Sequence, residues 1–189
     1  MARPRLSRET PAAPPRAPRG TPLSDEEMAR ASVASWTPAL EYAWDAGEAI
    51  SRFLAGLRDG RILGVRCRAC GRTVTPPRVF CELDFRPMDE WVELPDTGTI
   101  NTFSICYITW DMKPLRRPQI PAVIEIDGTS PRGGFLHLIG GVRGRTVEEI
   151  RRQIAVGTPV RAVWKPAARR TGAITDILHF APVKSHVRP

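Results

Sequence analysis

The chain has 189 residues, of which 42% are hydrophobic and 25% are charged, with 28 Lys and Arg against 20 Asp and Glu. This length fits one compact domain with appendages and excludes a large multidomain enzyme. No stretch approaches the roughly 20 apolar residues that cross a bilayer, and no apolar segment follows the basic N-terminus as in a secretory signal. We therefore expect a cytoplasmic protein that does not enter the membrane.

The N-terminal third predicts a tail and two helices. Residues 1–22 hold six prolines and predict a flexible tail, because such a segment buries too little apolar surface to offset its ordering entropy. Residues 21–34 predict a short helix, since Ser24 and the acidic residues after it suit a helix N-terminus. Apolar residues at three- and four-residue spacings predict a longer helix over residues 37–57, ended by Asp59 and Gly60.

Four side chains follow with the spacing of metal ligands. Cys67 and Cys70 are separated by two residues, and after ten intervening residues Cys81 and Asp84 repeat that spacing. Three thiolates and one carboxylate can complete a tetrahedral zinc site, whose role would be structural because no histidine or open ligand position suggests catalysis. Two alternatives stay open: a ribbon held by its hairpins without metal, and a redox pair of Cys67 and Cys70.

The remaining chain has the pattern of a β-rich domain. Strands are predicted over residues 98–110, 122–127, 135–139, 160–165 and 173–181, with a helix over residues 146–155 between the third and fourth strands. This order is that of an OB-fold, a five-stranded Greek-key barrel.

Two reactive side chains lie on these predicted strands. Cys106 is interpreted as a small buried apolar residue, and His137 as a hydrogen-bonded wall residue within an apolar run. No phosphate loop, serine elbow or paired-carboxylate motif is present, and we assign no catalytic residue. A stand-alone hydrolase or acyltransferase that uses Cys106 or His137 stays the weakest alternative.

Two predicted loops of the OB-fold are basic and form a candidate ligand site. They carry Lys113, Arg116 and Arg117 between the first two strands, and Lys165, Arg169 and Arg170 between the last two. OB-folds bind ligands through these loops, and guanidinium groups match phosphate oxygens, so either nucleic acid or coenzyme A could bind. Nucleic acid is disfavoured, because the aligned aromatic residues Phe103 and Tyr107 are interpreted as core rather than as a base-stacking platform.

Large apolar residues also precede the barrel. Trp36, Tyr42, Trp44 and Phe53 lie on an element too short to form its own core. They are predicted to pack on the ribbon, on the barrel or on another protein.

The order of these motifs is that of a known family. A helix leading through residues 53–64 to Cys67 and Cys70, then Pro76, Pro77 and Cys81, then OB-like strands resembles the zinc-ribbon plus OB-fold family called domain of unknown function thirty-five. The resemblance covers about residues 45–183. In that family the place of Asp84 usually holds a fourth cysteine.

The resemblance implies a mainly β protein with N-terminal helices, in which a rubredoxin-like zinc ribbon precedes a five-stranded OB-fold barrel. It implies an accessory subunit that pairs with a thiolase-superfamily enzyme or aldolase acting on an acyl-CoA, in lipid or steroid side-chain degradation. The chemistry would be the partner's, and zinc and a coenzyme A thioester are the implied cofactor and ligand. An OB-fold module for nucleic acid is the alternative. The expected segments are a tail (1–22), N-terminal helices (23–60), a zinc ribbon (61–90), an OB-fold barrel (91–183) and a C-terminal tail (184–189).

Overall fold

The computed structural model describes residues 20–31, 37–130 and 132–183, and the chain divides into two units, Met1–Ala43 and Trp44–Pro189. Most of the predicted N-terminal tail, all of the predicted C-terminal tail and Trp36 lie outside the described residues. Among the helices in the described ranges, none is long and apolar enough to cross a membrane.

The first unit contains the short helix α1, Asp25–Arg30. Its start is a capping box, in which the Glu27 N–H donates to Ser24 Oγ at 3.2 Å and the Ser24 N–H donates to Glu27 Oε2 at 2.8 Å. The structure thus confirms a helix within the predicted residues 21–34, over a shorter span than predicted. Its six residues bury no side chain, and a helix without a packed face gains little from extension.

The second unit begins with helix α2, Gly47–Arg58, and the predicted start of this helix at residue 37 is wrong. Residues 37–46 are irregular, because Pro38 disfavours helical backbone at the residue before it and Asp45 accepts a hydrogen bond from the Gly47 N–H at 2.8 Å. The helix ends as predicted, at Gly60 with φ +79°. Its buried residues are Ala49, Phe53, Gly56 and Leu57.

Five short strands build a ribbon after α2. They are β1 (Ile62–Arg66), β2 (Thr73–Val74), β3 (Phe80–Cys81), β4 (Arg86–Pro87) and β5 (Glu90–Leu94). Strand β1 lies between β2 and β5 in an antiparallel three-stranded sheet, while β3 and β4 form a separate hairpin. The two hairpins bring the cysteine-bearing turns to one end of the ribbon.

The OB-fold follows. Its elements are β6 (Thr97–Phe103), β7 (Cys106–Ile108), β8 (Pro114–Gln119), β9 (Pro121–Ile126), β10 (Gly134–Leu138), α3 (Val147–Arg151), β11 (Pro159–Trp164) and β12 (Ile177–Pro182). The five-stranded sheet has the order β10-β9-β6-β11-β12, with antiparallel neighbours. Its two edges approach each other where Ile139 bridges Phe180 and the Gly140 N–H donates to the Phe180 carbonyl at 2.9 Å. The sheet therefore curls as an OB-fold, and this seam is a single bridge rather than a continuous ladder.

Four OB-fold segments differ from their predictions. The helix predicted over residues 146–155 spans only Val147–Arg151. The strand predicted over residues 98–110 breaks after Phe103, and the predicted loop over residues 111–120 contains strand β8, which pairs with β7 in a separate hairpin. The sequence did not indicate this strand because it contains two prolines, which lack the N–H that a central strand donates. A hairpin outside the main sheet tolerates such residues. The strand predicted from residue 173 begins at Ile177, because Ile174–Asp176 forms a 3-10 turn.

The main core joins α2, β1, β5, the five-stranded sheet and α3. Its largest fully buried side chains include Leu57 of α2, Ile62 of β1, Ile100, Ile124, Val160 and Phe180 of the OB-fold, and Ile150 of α3. Thr73 of the ribbon also pairs with Ser130 through two backbone hydrogen bonds of 3.0 and 2.9 Å. The ribbon sheet thus meets the OB-fold core through Ile62 and Leu94 and through this short backbone bridge. Val65, Cys67, Val74, Cys81 and Met88 form a separate small core inside the ribbon.

Candidate metal centre and basic surfaces

The first pair of ligands lies on a tight turn after β1. The Gly71 N–H donates to the Cys67 carbonyl and the Cys67 N–H donates to the Arg72 carbonyl, each at 2.8 Å. Gly71 has φ +74°, a conformation that glycine adopts without the steric cost of a Cβ. This turn aims the thiols of Cys67 and Cys70 at the opposite hairpin.

The second hairpin supplies the other two groups. The Phe85 N–H donates to the Cys81 carbonyl at 3.0 Å, which closes the turn between β3 and β4 and presents Asp84. Phe85 lies at φ +52° although it is not glycine. The turn therefore repeats the first knuckle with a carboxylate at its fourth position.

The four ligand atoms converge on one point, all within 4.8 Å of one another. Asp84 Oδ2 lies 3.1 Å from Cys67 Sγ and 3.4 Å from Cys81 Sγ, and Cys70 Sγ lies 3.8 Å from Cys81 Sγ. Tetrahedral zinc with ordinary bond lengths separates two sulfur ligands by about 3.8 Å, and sulfur from oxygen by about 3.6 Å. Three thiols and Asp84 thus fit a zinc ion, and this convergence of four groups favours a metal site over a redox pair of Cys67 and Cys70.

The charges of the cluster also suit a cation. The Asp84 carboxylate accepts hydrogen bonds from the thiols, which raises the pKa of Cys70 to about 12 and holds the pKa of Asp84 below its ordinary value. These protons occupy the place that a divalent cation takes when it binds deprotonated ligands. The cluster can therefore hold zinc as a cross-link between the β1–β2 turn and the β3–β4 hairpin.

Lys113 and Arg116 lie on the β7–β8 hairpin. Lys113 Nζ is 2.7 Å from Asp111 Oδ2 at its tip, and the Arg116 carbonyl accepts a hydrogen bond from Arg145 at 2.5 Å. The Arg116 side chain stays available at the surface, whereas Lys113 is paired with its neighbour.

The loop between β11 and β12 binds two of its own basic residues. Lys165 Nζ lies 3.6 Å from Asp176 Oδ1, and Arg170 Nε donates to the Lys165 carbonyl at 2.8 Å. The Arg170 guanidinium also stacks 5.4 Å from the Trp164 ring centre. Lys165 and Arg170 thus help to shape this loop, while Arg169 is exposed.

The carboxylate that organises the same loop is Asp176, which the sequence did not single out. It is fully buried and accepts hydrogen bonds from the backbone N–H groups of Thr171, Gly172 and Ala173. Burial acts to raise the pKa of Asp176, but these donors and Lys165 outweigh it and hold the pKa below its ordinary value. The only sign of this role in the sequence is that an Asp follows Gly172 by four residues.

Of the six basic residues, Arg117 lines a pocket in the OB-fold. Arg143 and Arg145, which the sequence analysis did not name as candidate site residues, line the same pocket. Their signal is the Arg-Gly-Arg triplet at residues 143–145, directly before a capped helix.

His137 and Cys106 occupy structural positions. The Leu138 N–H donates to His137 Nδ1 at 2.8 Å, and Nε2 of the same ring lies 3.2 Å from the Ile174 carbonyl. Both ring nitrogens are therefore engaged with backbone groups, as predicted for a wall histidine. Cys106, interpreted from the sequence as a buried residue, is instead only half-buried at the start of β7, opposite Gln119, because β7 belongs to the outlying hairpin and not to the main sheet.

Comparison with known proteins gives two family models that match in order along the chain. The rubredoxin-like zinc ribbon domain of ChsH2 matches residues 54–86, and the C-terminal OB-fold domain of ChsH2 matches residues 91–165. A search of curated proteins gives no match.

The comparison also finds two similar solved structures. A DUF35-family protein of unknown function from Sulfolobus solfataricus is 25% identical, over 62% of this chain and 77% of that chain, with a TM-score of 0.50. The Ltp2-ChsH2(DUF35) aldolase is 18% identical, over 77% of this chain and 98% of that chain, with a TM-score of 0.49.

Proposed function

Because the chain belongs to the DUF35 family of zinc-ribbon and OB-fold proteins, we propose that it is a zinc-stabilised accessory subunit of an aldolase complex. The observation that carries the proposal is the match of both ChsH2 domain models, in order, to residues 54–86 and 91–165. ChsH2 is named beside Ltp2 in a solved aldolase. In this reading the partner is a thiolase-superfamily enzyme of the cytoplasm that acts on an acyl-CoA with a lipid or steroid side chain.

Zinc has a structural role in this proposal. The ligand atoms of Cys67, Cys70, Cys81 and Asp84 close the site with four protein groups, which leaves no position for a substrate or water. Bound zinc would supply a cross-link between the β1–β2 turn and the β3–β4 hairpin. It would thereby fix the shape of the ribbon surface.

An apolar patch at the tip of the ribbon supports a docking role. Phe80, Leu83 and Phe85 are exposed there, and the two phenyl rings pack edge to face with centres 6.3 Å apart. Exposed aromatic groups held rigid by a metal turn lose little entropy on binding a partner. We assign this patch to the contact with the aldolase subunit.

Carbon–carbon bond chemistry belongs to the partner in this proposal. The engagement of both His137 ring nitrogens with backbone groups leaves this residue without a free basic nitrogen. The six basic residues of the two OB-fold loops, Lys113, Arg116, Arg117, Lys165, Arg169 and Arg170, are proposed to contact the phosphates of the acyl-CoA. Arg116, Arg117 and Arg169 are the members of this set best placed to do so, because each is exposed and none makes an ion pair among the described residues.

Co-purification tests this function directly. The tagged chain is co-expressed with the thiolase-superfamily proteins encoded beside its gene, and the assembly state is measured by size-exclusion chromatography with light scattering. We expect a stable hetero-oligomer in the wild type and its loss in Leu83→Asp, with Leu136→Asp as the control because Leu136 is a comparably exposed leucine on β10. Recovery of the wild type as a free monomer would count against the proposal.

Single-stranded nucleic acid is the second candidate ligand, and one observation favours it. Tyr107, predicted as core, is instead partly exposed, and Trp110 on the same hairpin is 96% exposed beside basic residues. Exposed aromatic groups next to cations can stack on bases. Binding of an oligonucleotide that quenches Trp110 fluorescence and weakens steeply with salt would support this candidate, whereas salt-independent or absent quenching would exclude it.

A further inference from the structure

A basic pocket lies between strand β8 and the loop that precedes α3. Its volume is about 650 Å³, and its walls include the side chains of Arg117, Arg143 and Arg145. Ile120, Val142 and Ile150 supply an apolar side. A charged mouth beside an apolar wall is a common design for a site that takes an anionic organic ligand.

The loop that carries two of the arginines is fixed by side-chain hydrogen bonds. The Arg143 N–H donates to Gln153 Oε1 at 2.9 Å, and Gln153 Nε2 donates back to the Arg143 carbonyl. The N–H groups of Arg145 and Thr146 both donate to Glu149 Oε2, at 2.8 and 3.0 Å. The backbone on both sides of residue 144 is therefore held in place before any ligand binds.

Gly144 permits the two arginines to face one cavity. It has φ +103°, which an L side chain rarely adopts, and a Cβ there would lie 2.6 Å from Glu149 Cβ. The turn at Gly144 thus needs glycine on two grounds.

The third side of the pocket is tied to this loop. The Arg145 guanidinium donates to the Arg116 carbonyl at 2.5 Å, and the Tyr107 hydroxyl donates to the Arg145 carbonyl at 2.8 Å. Arg117 follows Arg116 directly and lines the same cavity. The β7–β8 hairpin and the α3 loop consequently form one preorganised surface.

The positive charge of this surface is not neutralised within the described residues. None of the ion pairs that they form includes Arg117, Arg143 or Arg145. The nearest carboxylate of the loop, Glu149, already accepts from two backbone N–H groups. Three like charges around one cavity repel each other, and an anion bound among them relieves that repulsion.

We propose that this pocket binds a diphosphate group. Guanidinium groups donate paired N–H groups to phosphate oxygens, and a diphosphate offers enough oxygens to engage all three arginines, while the apolar wall receives the organic part. A free nucleoside diphosphate and the phosphate end of a coenzyme A thioester carry this same chemistry. The inference does not require a protein partner and is independent of the docking proposed above.

Isothermal titration of the full chain with inorganic pyrophosphate tests the site. We expect saturable binding in the wild type and a dissociation constant at least about tenfold higher in Arg117→Gln and in Arg143→Gln, which corresponds to about 1.4 kcal/mol. Arg132→Gln is the matched control, since Arg132 is a highly exposed arginine elsewhere on the OB-fold, and it should bind as the wild type does. Arg117→Gln removes no hydrogen bond of the fold and so keeps the test valid if another variant fails to fold.

Titrations with two further ligands, ADP and coenzyme A, identify which kind of diphosphate compound the pocket binds. ADP that binds as tightly as coenzyme A assigns the pocket to nucleotides in general, and coenzyme A that binds about tenfold tighter assigns it to acyl-CoA ligands. Either result supports the diphosphate site. Absence of saturable pyrophosphate binding to the folded wild type, or equal affinity in all the arginine variants, overturns the inference and leaves the co-purification result untouched.

Discussion

Asp176 gives the sharpest test of how the β11–β12 loop is held. Its carboxylate is fully buried and accepts from the N–H groups of Thr171 at 3.0 and 3.1 Å, Gly172 at 2.7 Å and Ala173 at 3.1 Å. Lys165 Nζ lies 3.6 Å away and supplies the compensating charge. The substitution Asp176→Asn keeps the shape of the side chain and removes its charge.

The expected cost follows from these contacts. Hydrogen bonds to a charged acceptor contribute about 1 kcal/mol more than neutral ones, and three backbone donors lose that increment. The asparagine NH₂ group must also face a donor, and Lys165 loses its buried partner. We expect the free energy of unfolding to fall by about 3 kcal/mol, at the lower end of the range for breaking a buried ion pair. In a chain of this size that lowers the melting temperature by about 6–12 °C.

Urea unfolding followed by circular dichroism, together with calorimetry, measures this change. Asp127→Asn is the control, because Asp127 is an exposed aspartate of the same domain. A variant at Asp176 that stays within about 0.5 kcal/mol of the wild type would refute the role of its charge in the loop.

The dependence on pH has a definite sign. The pKa of Asp176 is below its ordinary value of 3.8 in the folded chain, so the unfolded chain takes up the proton first as the pH falls. The charge therefore contributes its full stability above the unfolded pKa and loses it as the pH falls through the folded pKa. We expect the difference between wild type and Asp176→Asn to be constant from about pH 6 to 8 and to shrink below about pH 4.

Three further outcomes test the metal centre and the core. Metal analysis should find one zinc ion in the wild type and in Cys106→Ala, whereas Asp84→Ala should release zinc to a chelator at least about tenfold faster; equal release would remove Asp84 from the ligand set. Phe180→Ala should lower the free energy of unfolding by about 3–5 kcal/mol and Trp110→Ala by less than about 0.5 kcal/mol, since the first is fully buried and the second is 96% exposed; similar losses would contradict the described core. Gly134→Ala should cost about 1–3 kcal/mol in urea unfolding, because its Cβ would overlap a carbonyl oxygen of β9, and a neutral result would argue against that register.

The parts of the fold that depend on local pattern could be predicted from the sequence. Ser24 and Thr146 each cap a helix, and the spacing of Cys67, Cys70, Cys81 and Asp84 places four ligand atoms together. Capping and chelation act over a few residues, so the amino acid types carry the information. The order of the OB-fold strands along the chain could also be predicted, because the pattern that indicates each strand is local.

The parts that depend on contacts distant in sequence could not be predicted in the same way. The β8 strand is hidden by its prolines, and it pairs with β7 without joining the five-stranded sheet. The meeting of Arg117 with Arg143 and Arg145 arises because this hairpin folds against the loop before α3. Periodicity does not encode such a meeting, because Arg117 and the two other arginines lie on segments that are distant in sequence.

The short connection between β5 and β6 holds the ribbon and the OB-fold in a fixed relative orientation. Only residues 95 and 96 separate the two strands, and Asp96 is clamped by Arg161 at 2.6 Å and by the Ala162 N–H at 2.8 Å. The backbone bridge between Thr73 and Ser130 forms a second fastening. Because no flexible linker separates them, the ribbon and the OB-fold are expected to move together as one rigid unit. A protein that binds the two turns carrying the metal ligands would therefore also fix the orientation of the basic pocket relative to itself.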